Sequence, residues 1–413
     1  MSFRVRGGLP LYGRVTLAGA KNAALPILFA SLLCREPVTL HRVPDIGDIR
    51  VAVSILKTLG VRAEWVKDGL LLDARGARPP TFALREAGAI RASSYLLGAS
   101  LAAFGEGSIP LPGGCDLGER PLDLHERAFR VLGGRVERGA GEIRVCGRNL
   151  RAAVYCLPFP SVGATVNFLL AALGAEGESK LYGYAAEPHV MSMVDFLRQM
   201  GADIKVCADC LVLSGGPLHG GAYTVISDAM EGGTYLLAAA MAGGDVTVGS
   251  LLPGELSALC LALSDMGIDI KEKEGSIRVR SDGASRYRGT SVVAAPYPAF
   301  PTDLHPPFAA LLCGVCGEGS VTDTVWRDRF LYAEELKKMG ARVRREGNRL
   351  ITYGTRLTGC ALRAPDLRGG AALLVAALSA KGESVIHGTK VIKRGYEDVV
   401  QKLCALGASV EEI

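Results

Sequence analysis

Segments that are apolar on nearly every side recur along this chain, separated by mixed segments of shorter period. Residues 22–33, 164–173 and 371–378 are built almost entirely of Ala, Leu, Val and Phe. With no polar face, they read as helices buried in a core. A Gly-containing turn and a short β-rich run follow, as at Ser108-Ile109, Val246-Thr-Val248, Ser320-Val-Thr322 and Ser384-Val-Ile386. Next come a variable loop and a second helix. Residues 341–352 then alternate around Glu346-Gly-Asn, the signature of a β-hairpin.

The second helix ends six times in Leu-x-x-(Leu/Met)-Gly. The copies are Leu56-Lys-Thr-Leu-Gly60, Phe129-Arg-Val-Leu132-Gly133 (with Phe for the first Leu), Leu197-Arg-Gln-Met-Gly201, Leu263-Ser-Asp-Met-Gly267, Leu336-Lys-Lys-Met-Gly340 and Leu403-Cys-Ala-Leu-Gly407. Their glycines are 73, 68, 66, 73 and 67 residues apart. A repeat of that period predicts six copies of one supersecondary unit. A core helix of about 12 residues climbs roughly 18 Å. A strand of about six residues returns about 20 Å. The loop after each strand is therefore expected near the start of its core helix, where unpaired N–H groups and the helix dipole attract anions.

Composition narrows the class. The chain has 413 residues, 49% of them apolar, a net charge of +5 and eleven cysteines. That length holds two or three domains. The mild positive charge suits an anionic small substrate and is too weak to argue for nucleic acid. No apolar run reaches the roughly 18 residues of a membrane span, and the start, Met1-Ser-Phe-Arg-Val-Arg-Gly, lacks the apolar core of a signal peptide. Eleven cysteines without such a signal suggest reduced thiols in the cytoplasm.

Polar residues gather where the geometry expects them. The core helices are read as opening at Lys21-Asn22, Arg91, Ser161-Val-Gly163, Glu231-Gly-Gly233, Thr302-Asp303 and Leu367-Arg368. The strand-to-helix loops carry Gly113-Gly-Cys115 with Arg120, Glu187-Pro188, Arg327-Asp-Arg329 and Lys393-Arg394. A lone surface Arg would mean little, but cations at six equivalent positions point to a pocket for a carboxylate and a phosphate. Cys207-Ala-Asp-Cys210 and Cys313-Gly-Val-Cys316 have zinc-knuckle spacing, yet by repeat alignment one spans a hairpin turn and the other ends a core helix. A shared metal site is not expected from them.

Several motifs together carry a resemblance that runs the whole length of the chain. They are Gly19-Ala-Lys21-Asn22-Ala-Ala-Leu-Pro, Arg91-Ala-Ser, Leu111-Pro-Gly-Gly-Cys115, Arg120-Pro-Leu-Asp-Leu-His125, Ser161-Val-Gly-Ala-Thr165, Phe300-Pro-Thr-Asp303, Asp366-Leu-Arg368 and Arg394-Gly-Tyr-Glu397. With these the chain resembles the enolpyruvyl transferases. The resemblance implies an α/β fold of two similar inside-out, barrel-like domains, each of three βαβαββ-type repeats, with a cleft between them. It implies domains near 21–228 and 1–20 plus 229–413, so that the first strand joins the second domain.

The implied reaction moves enolpyruvyl from phosphoenolpyruvate to the 3-hydroxyl of UDP-N-acetylglucosamine, at the entry to peptidoglycan synthesis. It needs an acid, a base and a cationic cradle, and implies no cofactor and no metal. By resemblance Cys115 is the acid and the target of a fosfomycin-type epoxide; the bland alternative for a free cysteine is an inert core position. Asp303 is the base or anchor for the sugar hydroxyl, or a helix cap, or both. Lys21, Asn22, Cys115, Arg120, Arg329, Arg368 and Arg394 are expected on phosphoenolpyruvate, with Lys21 and Arg394 also catalytic. Asn22, Arg91, Arg120, Pro121, Leu122, Asp123, Leu124, Pro160, Ser161, Val162, Gly163, Asp303 and Val325 are expected on the nucleotide sugar. His125 is expected to position its loop rather than titrate. The implied partners are those two substrates alone, with no nucleic acid, no membrane insertion and no obligate protein partner.

Four positions depart from the family pattern: Ala186, His189, Ala229, and His305, which with Pro306 and Pro307 replaces a Gln-Ala-Gln-like run. Two other readings stay open, an enolpyruvyl transferase for another acceptor such as shikimate 3-phosphate, and a non-catalytic protein that binds the nucleotide sugar.

Overall fold

The computed structural model of the chain describes residues 1–80, 85–110, 122–139 and 141–413. Among them twelve α-helices alternate between two kinds. In chain order they are α1 (Lys21–Ala30), α2 (Gly47–Thr58), α3 (Tyr95–Phe104), α4 (Asp123–Val131), α5 (Val162–Ala172), α6 (Pro188–Gln199), α7 (Ala229–Ala242), α8 (Ser257–Asp265), α9 (His305–Gly314), α10 (Tyr332–Lys338), α11 (Leu367–Ser379) and α12 (Val399–Ala405). The odd-numbered helices are the apolar ones and are buried over most of their length. The even-numbered ones are the amphipathic helices that end in the repeated glycine.

All six repeated endings fold the same way. Each glycine is left-handed, with φ between +88° and +98°. The residue after it donates its N–H to the carbonyl of the first residue of the pattern: Val61 to Leu56, Gly134 to Phe129, Ala202 to Leu197, Ile268 to Leu263, Ala341 to Leu336 and Ala408 to Leu403. This six-to-one bond closes the helix, and only glycine takes the required φ without a Cβ penalty. The Leu or Met before each glycine is buried, which anchors the helix end in the core.

Each repeat adds a small sheet. Val154–Cys156 runs parallel to Glu178–Tyr182, which pairs antiparallel with Cys210–Ser214, and that strand in turn with Asp203–Val206. Ser291–Ala294, Glu318–Asp323, Arg349–Tyr353 and Arg342–Glu346 repeat this order. Three sheets borrow a strand from far along the sequence. Leu11–Val15 lies parallel to Gly244–Val248. Gly221–Thr224 lies parallel to Val38–His41. Ser2–Arg6 sits between Glu383–His387 and Ser409–Glu412.

Contacts divide the chain into two compact units. One groups Met1–Ala18 with Ser227–Ile413, and the other comprises the described residues between 19 and 226. Each has its own apolar core built around three of the odd-numbered helices.

Three core helices start elsewhere than the sequence suggests. α3 begins at Tyr95, after a 3₁₀ turn over Arg91–Ser94. α7 begins at Ala229 rather than near Glu231, because Asp228 accepts the Glu231 N–H at 3.0 Å and caps it. α9 begins at His305, beyond Thr302-Asp303, with Pro306 and Pro307 in the first turn, where helix N–H groups have no internal partner.

Candidate active site

In the unit that contains α7, α9 and α11, three expected residues meet. Asp366 caps α11, accepting the N–H groups of Arg368 and Gly369 at 2.9 and 3.0 Å. This fixes Arg368 in the first turn, where its side chain is 1% exposed. Its Nη2 donates to Asp303 Oδ2 at 2.9 Å. From the loop after strand Glu318–Asp323, Arg329 donates from Nη1 to Asp303 Oδ1 at 2.8 Å and to the carbonyl and Oγ1 of Thr302, both at 3.1 Å. Loop and helix start therefore meet within this repeat, as the rise of helix and strand requires.

Asp303 thus holds two guanidinium groups, one on each oxygen, rather than serving as a cap. Two positive charges face one negative charge. Burial works against charge on Arg368, but Asp303, Tyr396 and Asp228 together outweigh it and raise the pKa further above its ordinary value. The Tyr396 ring lies 5.3 Å from the Arg368 guanidinium carbon. Nε and Nη1 of Arg368 and Nε of Arg329 are buried and meet no hydrogen-bond partner among the described residues. Buried donors on a cation are costly to leave unpaired, so this arrangement is suited to receive an anion. Arg394 closes the 3₁₀ turn Thr389–Arg394, whose Ile392 packs against Gly370 of α11. Val325 is half-buried, and its N–H is held by Asp323 at 2.8 Å.

In the other unit, Lys21 opens α1 and is buried, with Nζ 3.2 Å from Asp48 Oδ2 at the start of α2. Asn22 beside it is half-buried. Pro26 lacks the N–H that would bond the Asn22 carbonyl along the helix. Arg91 begins the short turn that leads into α3. Ser161 caps α5, its Oγ accepting the Ala164 N–H at 3.3 Å, and Pro160, Val162 and Gly163 beside it are half-buried.

His125 is the surprise of this unit. Asn167 of α5 accepts the Gly98 N–H at 2.9 Å, and its Nδ2 lies 2.8 Å from His125 Nδ1 and 3.2 Å from the Gly163 carbonyl. The amide can only donate to the ring, so Nδ1 carries no proton and the remaining proton sits on Nε2. A Cβ at Gly163 would come within 2.5 Å of the ring. Burial, helped by the Arg91 charge, pushes the His125 pKa down to about 3. His125 is a neutral ring wedged between α4 and α5. Leu122 packs its side chain into the core, so it can reach a ligand only through its main chain; Asp123 is exposed and Leu124 half-buried. Cys115, Arg120 and Pro121 lie outside the described residues.

Asp48, Asn167 and Tyr396 were not singled out from sequence. Each is a polar partner supplied by a different element, and only Tyr396, inside Arg394-Gly-Tyr-Glu397, stood in a recognised motif. Cys207 and Cys210 flank a hairpin turn, while Cys313 lies in α9 and Cys316 beyond it. Among the described residues no group of three or more His, Cys, Asp or Glu is placed to hold a metal ion, and no helix is long and apolar enough to cross a membrane.

The sequence model of the EPSP synthase (3-phosphoshikimate 1-carboxyvinyltransferase) family matches residues 5–403. The chain is 43% identical to UDP-N-acetylglucosamine 1-carboxyvinyltransferase 3 of Caldanaerobacter subterraneus subsp. tengcongensis, over 100% of this chain and 99% of that one. It is 39% identical to UDP-N-acetylglucosamine 1-carboxyvinyltransferase of Halothermothrix orenii, with the same coverage. Among solved structures, the enolpyruvyl transferase NikO from Streptomyces tendae matches with a TM-score of 0.89 at 25% identity, covering 99% of this chain and 98% of that one. An EPSP synthase from Acinetobacter baumannii, at 20% identity and a TM-score of 0.76 over 99% of both chains, shares the fold. Matched from end to end in sequence and in fold, the chain belongs to the enolpyruvyl transferase family, among the UDP-N-acetylglucosamine 1-carboxyvinyltransferases.

Proposed function

We infer that the protein transfers the enolpyruvyl group of phosphoenolpyruvate to the 3-hydroxyl of UDP-N-acetylglucosamine and releases phosphate. The observation that carries the chemistry is Asp303 gripped by Arg329 and Arg368, with three guanidinium nitrogens that meet no hydrogen-bond partner among the described residues. A planar fork with spare donors suits the carboxylate of phosphoenolpyruvate, and the Asp303 carboxylate is an acceptor suited to a sugar hydroxyl.

The reaction proceeds by addition and elimination. Protonation of the methylene carbon leaves C2 cationic. The hydroxyl oxygen adds to C2 as its proton passes to a base. The methyl group then loses a proton as the C2–O bond to phosphate breaks, restoring the double bond. We assign the first proton to Cys115 and the hydroxyl proton to Asp303. Lys21, Arg120 and Arg394 are assigned to the phosphate, Arg329, Arg368 and Arg394 to the carboxylate, and Asn22 to both substrates. Arg91, Arg120, Pro121, Leu122, Asp123, Leu124, Pro160, Ser161, Val162, Gly163 and Val325 are assigned to the nucleotide sugar. The α5 start, whose first-turn N–H groups have no partner within the helix, supports a diphosphate there. The reading places the protein in the cytoplasm, where phosphoenolpyruvate is supplied.

Phosphate release tests this directly. Turnover is expected with phosphoenolpyruvate plus UDP-N-acetylglucosamine and not with shikimate 3-phosphate as acceptor. No phosphate with the nucleotide sugar would sink the reading. A fosfomycin-type epoxide is expected to add one mass increment at Cys115 and stop turnover; modification elsewhere would remove Cys115 from its role.

A further inference from the structure

His305 has no exposed surface, yet it is polar and faces an acceptor at each ring nitrogen. Nδ1 lies 2.9 Å from Asp323 Oδ2 and Nε2 lies 3.0 Å from the Arg329 carbonyl. The ring is stacked on Phe330, with centroids 5.0 Å apart and planes at 14°. Asp323, also without exposed surface, gathers the surroundings. It accepts the Thr302 hydroxyl at 2.6 Å and the N–H groups of Val325 and Trp326 at 2.8 Å. These contacts form a closed ring: Asp323 to the Thr302 hydroxyl, that hydroxyl to the Arg329 guanidinium, the Arg329 carbonyl to His305, and His305 back to Asp323, a neutral His305 donating its single N–H to one of its two acceptors. The residues between Asp323 and Arg329 are therefore tied down at both ends.

We propose that His305 and Asp323 are positioning residues that lock the Arg329 loop onto Thr302 and Asp303, fixing the orientation of the Arg329 guanidinium before substrate binds. The proposal rests on the enolpyruvyl-transfer reading for what Arg329 receives. A buried polar pair adds little stability over well-packed apolar residues, and what it does supply is a defined geometry. Here that geometry ends on the guanidinium whose Nε meets no partner among the described residues. Their hydrogen-bond contacts run to Thr302 and Arg329, so both act on Asp303 through those two residues.

The test compares steady-state phosphate release by the full-length protein, its His305→Leu and His305→Gln variants, and Thr302→Val. Loss of the His305 ring contacts in His305→Leu is expected to raise KM for phosphoenolpyruvate by roughly 10-fold or more, because a misplaced binding group is felt at once. KM for UDP-N-acetylglucosamine is expected to stay within about 2-fold. His305→Gln, whose amide offers two N–H donors, is expected to recover most of the loss. Thr302→Val cuts the ring at the hydroxyl in a half-exposed turn, so it carries the same test if His305→Leu does not fold. An unchanged KM for phosphoenolpyruvate in Thr302→Val and in a folded His305→Leu overturns the proposal. So does a loss shared equally by both substrates that His305→Gln does not relieve, since that is the mark of a purely structural role. If the unsubstituted protein releases no phosphate, the enolpyruvyl-transfer reading falls first, and the proposal with it.

Discussion

At the start of α11, Arg368 lies buried against Asp303; at the start of α5, Ser161 caps the helix and the nearest ring, His125, is neutral. The two helices hold equivalent places in two copies of the repeat. In the unit of residues 227–413 the helix starts collect charge: Arg329 and Arg368 on Asp303, and Lys402 on the buried Glu231 of α7. In the unit between residues 19 and 226, the α5 start collects hydrogen bonds between neutral groups, and Lys21–Asp48 at α1 is the buried ion pair among the described residues that matches the other unit's style. One fold thus supports two kinds of polar interior. Buried charge is costly to desolvate and is found here against a partner of opposite sign, whereas the neutral polar groups need only a hydrogen-bond partner.

That contrast can be broken at the charged end first. Asp303→Asn keeps the volume but removes the charge between two guanidinium groups. Phosphate release is expected to slow by about 10²- to 10⁴-fold, and a rate within tenfold of the unsubstituted protein would show that Asp303 is not the base. Lys21→Met removes the Lys21 cation from the buried Asp48. Chemical denaturation is expected to show a loss of about 3 kcal/mol, most of it recovered by adding Asp48→Asn. If the double variant is no more stable than the single one, the pair is not the cause.

The neutral side makes its own demand. The unfolded chain protonates His125 near its ordinary value of 6.5, whereas the folded protein resists until about 3. The stability due to its neutral form is therefore complete above pH 6.5 and lost as pH falls through that window. Between pH 6.5 and about pH 5 the loss is about 2 kcal/mol. Denaturation curves at the two pH values, compared with His125→Gln, should show a flatter dependence in the variant; equal slopes would mean that the ring is already charged. Smallest of all, Ser161→Ala should lower stability by about 1 kcal/mol through loss of the cap. A change near zero would mean that the α5 start is held by something other than its own side chain.

What could be read from the sequence follows the range of each interaction. The helix endings were legible because a Schellman turn needs its residues within six positions, and the glycine writes its φ into the sequence. Ser161, Arg368 and Asp303 were legible as residues at helix starts. Their partners were not. Asp48 reaches Lys21 from 27 residues away and Asn167 reaches His125 from 42, distances over which no spacing rule acts. His305 was visible as a departure from the family pattern, but a lone His before two prolines gives no sign that it is fully buried against a carboxylate. Thr302-Asp303 looked like a cap because both residue types cap helices; the prolines of α9 place the helix start one step later and leave Asp303 to its arginines.

The strand Ser2–Arg6 carries one more consequence. Its neighbours are residues 383–387 and 409–412, so it is synthesised long before either of the strands it pairs with. At usual synthesis rates Phe3 and Val5, both fully buried in the finished protein, wait about 20–80 s for their partners. The unit between residues 19 and 226 has all its strands in hand long before that. Biosynthesis therefore has a built-in order, in which one half can fold while the other must keep an apolar strand from pairing elsewhere until the chain's last strand emerges.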